Sequence, residues 1–144
     1  MEPPMFDPTT DPDVLNRVHQ NTMISHLGIE VTAIGEDYIT ARMPVADHTK
    51  QPMGLLHGGA SVALAESLGS MASALLLDLT RFAPVGLEIN ANHIRSVTDG
   101  YVYGTVRPIH IGQRTHVWEI RIVDDRDRLV CVSRLTVMVV PRSS

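Results

Sequence analysis

Residues 58–77 read Gly58-Gly59-Ala60-Ser61-Val62-Ala63-Leu64-Ala65-Glu66-Ser67-Leu68-Gly69-Ser70-Met71-Ala72-Ser73-Ala74-Leu75-Leu76-Leu77. Glu66 is the only ionisable side chain in the stretch; the rest is aliphatic, small or hydroxyl-bearing. A run of this length, bounded by His57 and Asp78, is too long for a strand and predicts a helix. A helix apolar on every side belongs in a core, and its glycines and alanines let a strand layer approach closely. Glu66 then has to face a cavity or a partner, because an unpaired buried carboxylate is costly. The stretch is long enough to span a bilayer, but an acid at its middle argues against that, and no membrane span is expected.

The chain on either side of this helix reads mostly as strand. Asp11-Pro12-Asp13 looks like a helix start, with Asp as the cap and Pro in the first turn. Leu15, Val18, Thr22 and Met23 continue one helical stripe towards a cap at Gly28. Residues 29–34 and 38–45 read as two strands around the turn Gly35-Glu36-Asp37. Residues 47–54 form a polar loop into the helix, and 80–84 an exit loop. Four β-like runs follow, at 85–95, 101–111, 113–123 and 129–140. Val85, Leu87, Ile89, Ala91 and His93 alternate onto one face of the first; Trp118, Ile120 and Ile122 share a face of the third. Residues 124–128 read as a solvated charged turn. Six strands joined largely by short turns, with one apolar helix, predict an α+β domain whose antiparallel sheet curls round the helix.

Composition narrows the function. The 144 residues suit one domain: a flexible tail over 1–12 and a single domain over 13–144. With 44% hydrophobic and 19% charged residues the chain reads as soluble and globular. Net charge is −4 and no basic run is present, so nucleic acid is not an expected partner. Cys131, the single cysteine, reads as a small buried hydrophobe and fits a reducing compartment. The N-terminus lacks a basic, apolar leader pattern, and a cytoplasmic location is expected. Seven histidines invite a metal reading, but no HxxxH or HExxH spacing occurs, and no metal is expected. No GxSxG, phosphate loop or dinucleotide glycine pattern is present.

The chemistry centres on the helix. A carboxylate in an apolar setting suits a general base or a nucleophile; an ion pair with Arg95 or Arg114 explains Glu66 equally well. Ser70, four residues on, shares its face and can bond the carboxylate or a ligand, or bond back to its own helix. His57-Gly58-Gly59 opens the helix, where free N–H groups and the helix dipole suit a developing oxyanion. Gly58 and Glu66 are about 12 Å apart along the axis, whereas a carbonyl oxygen and the atom attacking its carbon lie about 3 Å apart. If both groups serve one carbonyl, they come from two copies of the chain, with helices antiparallel across a two-fold axis.

Several segments resemble one family. Gln51-Pro52-Met53-Gly54-Leu55-Leu56-His57-Gly58-Gly59-Ala60-Ser61, then Ala65-Glu66-Ser67, are similar to the hotdog-fold acyl-CoA thioesterases. So are Gly86-Leu87-Glu88-Ile89-Asn90-Ala91-Asn92-His93 with Arg95-Ser96, Pro108-Ile109-His110-Ile111-Gly112, Val117-Trp118-Glu119-Ile120 and Ser133-Arg134-Leu135-Thr136. The branch it resembles contains 1,4-dihydroxy-2-naphthoyl-CoA thioesterases, enterobactin proofreading thioesterases and one class of 4-hydroxybenzoyl-CoA thioesterases. The resemblance implies a hotdog fold and hydrolysis of an aryl or short acyl-CoA thioester without metal or cofactor. It also implies a homodimer with interfacial active sites, paired into a homotetramer. By motif position it makes Glu66 the catalytic carboxylate and the Gly58 N–H the group polarising the carbonyl. Gln51 and His57 position that end, and Ser70 assists Glu66. Gly86, His93, Arg95, Ser96, His110, Gly112 and Arg114 bind the substrate and its CoA arm, with Arg114 near the phosphates. Thr115 stands where relatives carry a histidine, and residues 74–84 differ from the family pattern. A non-catalytic acyl-CoA-binding module and an acyl-CoA dehydratase are the alternatives on the same fold.

Overall fold

The structure, a computed structural model, describes residues 1–143; the expected domain ends one residue beyond them. Its elements run α1 (Pro12–Val18), α2 (Met23–His26), β1 (Glu30–Ile34), β2 (Ile39–Pro44), α3 (Gly58–Leu76), β3 (Phe82–His93), β4 (Tyr101–Ile111), β5 (Thr115–Val123) and β6 (Leu129–Pro141). The strands form one antiparallel sheet in the order β1-β2-β4-β5-β6-β3. α3 packs along β2 to β6.

The core follows from the alternation. Trp118, Ile120 and Ile122 point inward from β5 and are fully buried, with Ile39, Ala41 and Met43 from β2. Leu64, Ala65, Leu68 and Ala72 of α3 meet them. Gly104 on β4 sets how close the layers come: a Cβ there would lie 2.8 Å from Leu68 Cδ1 and 3.3 Å from Leu64. Packing one side of α3 against the sheet buries apolar surface and stabilises the helix. Cys131 is buried among this core, and burial pushes its thiol up.

Four expectations change. The single N-terminal helix is two: Asn21 is left-handed at φ 61, and Thr22 starts a second helix by accepting the Ile24 N–H at 3.2 Å. β3 begins at Phe82, inside the expected exit loop. Its alternation from Val85 to His93 is interrupted by a bulge, with Gly86 opposite Val137 but Glu88 opposite Thr136. Val85 and Leu87 consequently face outward while Gly86 faces α3. The turn after β5 is not wholly solvated: buried Asp124 accepts the Arg126 and Arg128 N–H groups at 2.9 and 3.0 Å and the Arg128 Nε at 2.8 Å. Within the segment expected to be loose, Phe6 is buried. Its ring stacks on Trp118 at 6.3 Å, and its N–H donates to the Glu36 carbonyl at 2.9 Å.

Candidate active site

The loop before α3 arrives in a defined conformation. The His57 N–H donates to the Thr49 carbonyl, and the Leu56 N–H to the Val97 carbonyl, both at 2.8 Å. His57 is the helix cap: its Nδ1 accepts the Gly59 N–H at 2.8 Å. That bond makes the ring a neutral tautomer with the proton on Nε2. Ala60 and Ser61 N–H groups both donate to the His57 carbonyl. Among the described residues the Gly58 N–H alone of these has no acceptor, so the free donor expected over three residues is narrowed to one. It carries the positive end of the helix dipole.

Gly58 lines a cleft of about 330 Å³ with Gln51, Ser61, His93, Arg95 and Ser96. Five residues expected at the site thus come together. His93 lies against Gly58, where a Cβ would meet its Nε2 at 2.9 Å. His57 points back to its own helix instead of lining the cleft. Gln51 closes its own turn: its Oε1 accepts the Met53 N–H and its carbonyl the Gly54 N–H at 2.9 Å.

Glu66 is half-buried rather than fully enclosed, on the flank of α3 away from the sheet centre. It lines a second hollow of about 220 Å³ with Met23, Ile24, Leu27, Ala63 and Ser67. Its Oε1 lies over Gly86, 2.8 Å from where a Cβ would stand. Ion pairs among the described residues are Arg42–Glu30, Arg107–Asp37 and Arg128–Asp124, so Glu66 does not pair with Arg95 or Arg114. Ser67 bonds back to the Ala63 carbonyl at 2.6 Å, whereas Ser70 makes no hydrogen bond among the described residues.

The third group stands apart. Gly112 and Arg114 line a cleft of about 810 Å³ at the C-terminal end of α3, with Leu77, Phe82 and His116. His110 lies over Gly112. Within one chain, then, the expected residues fall at the start, middle and end of α3. Two features of the region were not read from the sequence. Ser61 sits in the Gly58 cleft, and a buried Trp118–Ser73–His116 chain runs below the end cleft, with both hydrogen bonds 2.8 Å long. Among the described residues no group of three or more His, Cys, Asp or Glu side chains is arranged to hold a metal.

A carboxylate without a counter-ion and a helix N–H without an acceptor, on one apolar helix under a curved sheet, are the parts of an acyl-transfer site. The sequence description of the thioesterase superfamily matches residues 53–131. The chain belongs to that superfamily. This thioesterase is 51% identical over 124 residues to the 1,4-dihydroxy-2-naphthoyl-CoA hydrolase of Escherichia coli (strain K12), covering 86% of this chain and 90% of that protein. It is 49% identical over 129 residues to the proofreading thioesterase EntH of Cronobacter turicensis, covering 88% and 92%. Among solved structures it matches a mutant of thioesterase PA1618 from Pseudomonas aeruginosa with a TM-score of 0.92 and 48% identity, over 96% of this chain and 99% of that one. The hotdog fold is the fold of this thioesterase, and thioester hydrolysis is its reaction class.

Proposed function

We propose that this thioesterase hydrolyses an aryl-CoA or short acyl-CoA thioester to free acid and CoA, at sites formed between two copies of the chain. One observation carries the reading. Gly58 lies against His93, and Glu66 lies over Gly86, both on β3. β3 ends the sheet, so its outer edge has no strand beside it within the chain. Val85 and Leu87 on it are 49% and 58% exposed. An unprotected apolar edge is a template for pairing. Antiparallel pairing of β3 with its own copy, about an axis between Ile89 and Asn90, lays His93 opposite Gly86 of the other copy. Gly58 of one chain then faces Glu66 of the other, which closes the gap that one helix leaves open. A two-fold axis makes two such sites.

The roles follow from the groups available. The Gly58 N–H takes the developing negative charge on the carbonyl oxygen. Glu66 either attacks the carbonyl carbon, expelling the CoA thiolate and leaving an anhydride that water opens, or removes a proton from the attacking water. Gln51 and His57 hold the Gly58 end, and Ser70 is free to bond the carboxylate or the acyl group. Gly86 leaves room beside the carboxylate. The CoA arm runs along His93, Arg95 and Ser96. His110, Gly112 and Arg114 belong to the other cleft, at the C-terminal end of α3, and the CoA arm so placed does not use them. The name of the Escherichia coli relative favours a 1,4-dihydroxy-2-naphthoyl-like aryl group, and the family resemblance adds a hydroxybenzoyl-like one. Following the family resemblance, the proposal extends to a homotetramer acting in the cytoplasm without metal or cofactor.

The test is thiol release across aryl-CoA, short acyl-CoA and aryl-carrier-protein thioesters. Thiol is expected from at least one CoA thioester, and Glu66→Ala lowers kcat at least about a hundredfold. Binding of CoA thioesters with no thiol released points to the non-catalytic module. Near-normal kcat in Glu66→Ala removes Glu66 from the reaction. A single turnover in labelled water with excess enzyme separates the two routes, since only attack by Glu66 puts label into its carboxylate.

A further inference from the structure

The end cleft contains a donor that the reaction above does not use. His116 is 2% exposed, and its Nδ1 is 2.8 Å from Ser73 Oγ. Trp118 Nε1–H, which can only donate, gives its proton to the same oxygen at 2.8 Å. The Ser73 hydroxyl has no other acceptor among the described residues, so its own proton goes to His116 Nδ1. The ring is thereby held as the tautomer with hydrogen on Nε2. That Nε2–H has no partner among the described residues, yet it is not sealed off: the only enclosed side-chain polar atom without a partner among them is Arg42 Nε. His116 lines the cleft, so the N–H opens into it.

The surroundings define what such a donor would meet. Arg114 is two residues from His116, and its carbonyl accepts the Val139 N–H at 2.8 Å, continuing the β5–β6 ladder. Residues two apart on a strand share a face, and both side chains line the cleft. The Arg114 guanidinium has no ion pair among the described residues. Phe82 lies across from them, with Arg81 stacked on its ring at 5.2 Å and Arg142 Nε donating to its carbonyl at 3.4 Å. Gln113 adds a neutral polar side chain, Leu76, Leu77 and Val139 supply apolar wall, and among the described residues no Asp or Glu lines the cleft. About 810 Å³ is room for a ligand of drug size.

We infer that the end cleft is a second binding site, separate from the Gly58–Glu66 site, for a monocarboxylate with a hydrocarbon or aryl body. The carboxylate lies between the Arg114 guanidinium and His116 Nε2–H, and the body lies along Leu77, Phe82 and Val139. Two donors converging on one anion, one of them fixed by a buried relay, favour a carboxylate over a neutral acceptor. Burial holds the His116 ring below its ordinary pKa, with the charge of His110 adding to this, so the neutral tautomer persists.

The chain has one tryptophan, and its ring lies 6.1 Å from His116, so Trp118 emission reports on the site. Octanoate, which does not absorb with tryptophan, is titrated into the wild-type oligomer and followed by fluorescence and by calorimetry. Saturable binding is expected, with octan-1-ol at least about tenfold weaker, the loss of one charge-assisted bond. His116→Phe and Arg114→Gln each weaken octanoate by a similar factor. Arg114 is exposed, so its replacement serves if His116→Phe does not fold. Glu66→Ala binds octanoate as tightly as wild type. The inference is overturned if octanoate gives no saturable signal, if octan-1-ol binds equally well, if free CoA competes with octanoate, or if Glu66→Ala abolishes the binding. The last two outcomes would assign the acid to the thioesterase site without touching the evidence for hydrolysis.

Discussion

The Glu66 carboxylate stands over Gly86, so close that a methyl group on that glycine would lie 2.8 Å from Oε1. The bulge between Gly86 and Glu88 produces this contact, because it turns Gly86 towards α3 while its neighbours Val85 and Leu87 face outward. The carboxylate is therefore positioned by the absence of a side chain. Gly86→Ala pushes it aside without breaking the β3–β6 ladder. With Glu66 as the reacting group proposed above, misplacing it by about 1 Å costs on the order of a hundredfold, and kcat is expected to fall by about that much while the melting temperature changes little. On a Glu66→Gln background the same change adds no further loss. A full additional loss there means Gly86 acts on the substrate and not through Glu66.

At the other end of the site the prediction rests on one N–H. His57 has φ −67 and ψ 131, an extended conformation that a following proline favours. Gly58 is the first residue of α3, where proline is tolerated. Gly58→Pro removes the N–H and keeps the helix. Loss of one oxyanion donor lowers kcat by about 10²–10³-fold. Gly58→Ala is the control: its Cβ would crowd His93 Nε2 at 2.9 Å, but His93 is exposed and can move, so a much smaller loss follows. Equal losses in the two variants would show that space, not the N–H, matters at Gly58.

The sequence carried the large features for reasons that are local. Twenty residues that are small or apolar except for Glu66 admit little besides a buried helix, and β5 alternates without interruption, so Trp118, Ile120 and Ile122 were readable as core. Glu66 was visible because it is the only charge in its stretch. The rest depends on contacts across the fold. The bulge at Gly86 leaves no mark in an alternating run, and it decides what Glu66 touches. Phe6 lies among prolines and polar residues, and only the position of Trp118 explains its burial. Ser73 and His116 are 43 residues apart; each alone reads as an ordinary polar interruption.

The buried relay has a pH signature. Burial, and after it the charge of His110, holds His116 below its ordinary value of 6.5. The unfolded chain therefore binds this proton more readily than the folded one. Stability is unaffected well above pH 6.5 and falls as pH drops through that value, levelling only below the folded pKa. His19, also lowered by burial, acts in the same direction. Melting temperatures measured from pH 8 down to pH 5 should decline for the wild type. His116→Gln, whose amide oxygen can accept from Ser73, should decline less steeply. An unchanged slope in His116→Gln would mean that other groups carry the acid sensitivity.

The claim that Gly58 and Glu66 meet across two chains has a test independent of any structure of the assembly. Glu66→Gln lacks the carboxylate in both sites of a homodimer, and Gly58→Pro lacks the N–H in both. Each alone is nearly inactive. In a mixed dimer one site draws Gly58 from the Glu66→Gln chain and Glu66 from the Gly58→Pro chain, and is intact. The other site carries both defects. Equal mixing after reversible dissociation gives mixed dimers as about half of the population, each with one working site of two, so about a quarter of wild-type activity returns. The recovery needs subunit exchange, which mixing the two proteins without dissociation controls for. If exchange occurs, seen by mass spectrometry, and no activity returns, each site is built from a single chain and the β3 pairing proposed here is wrong.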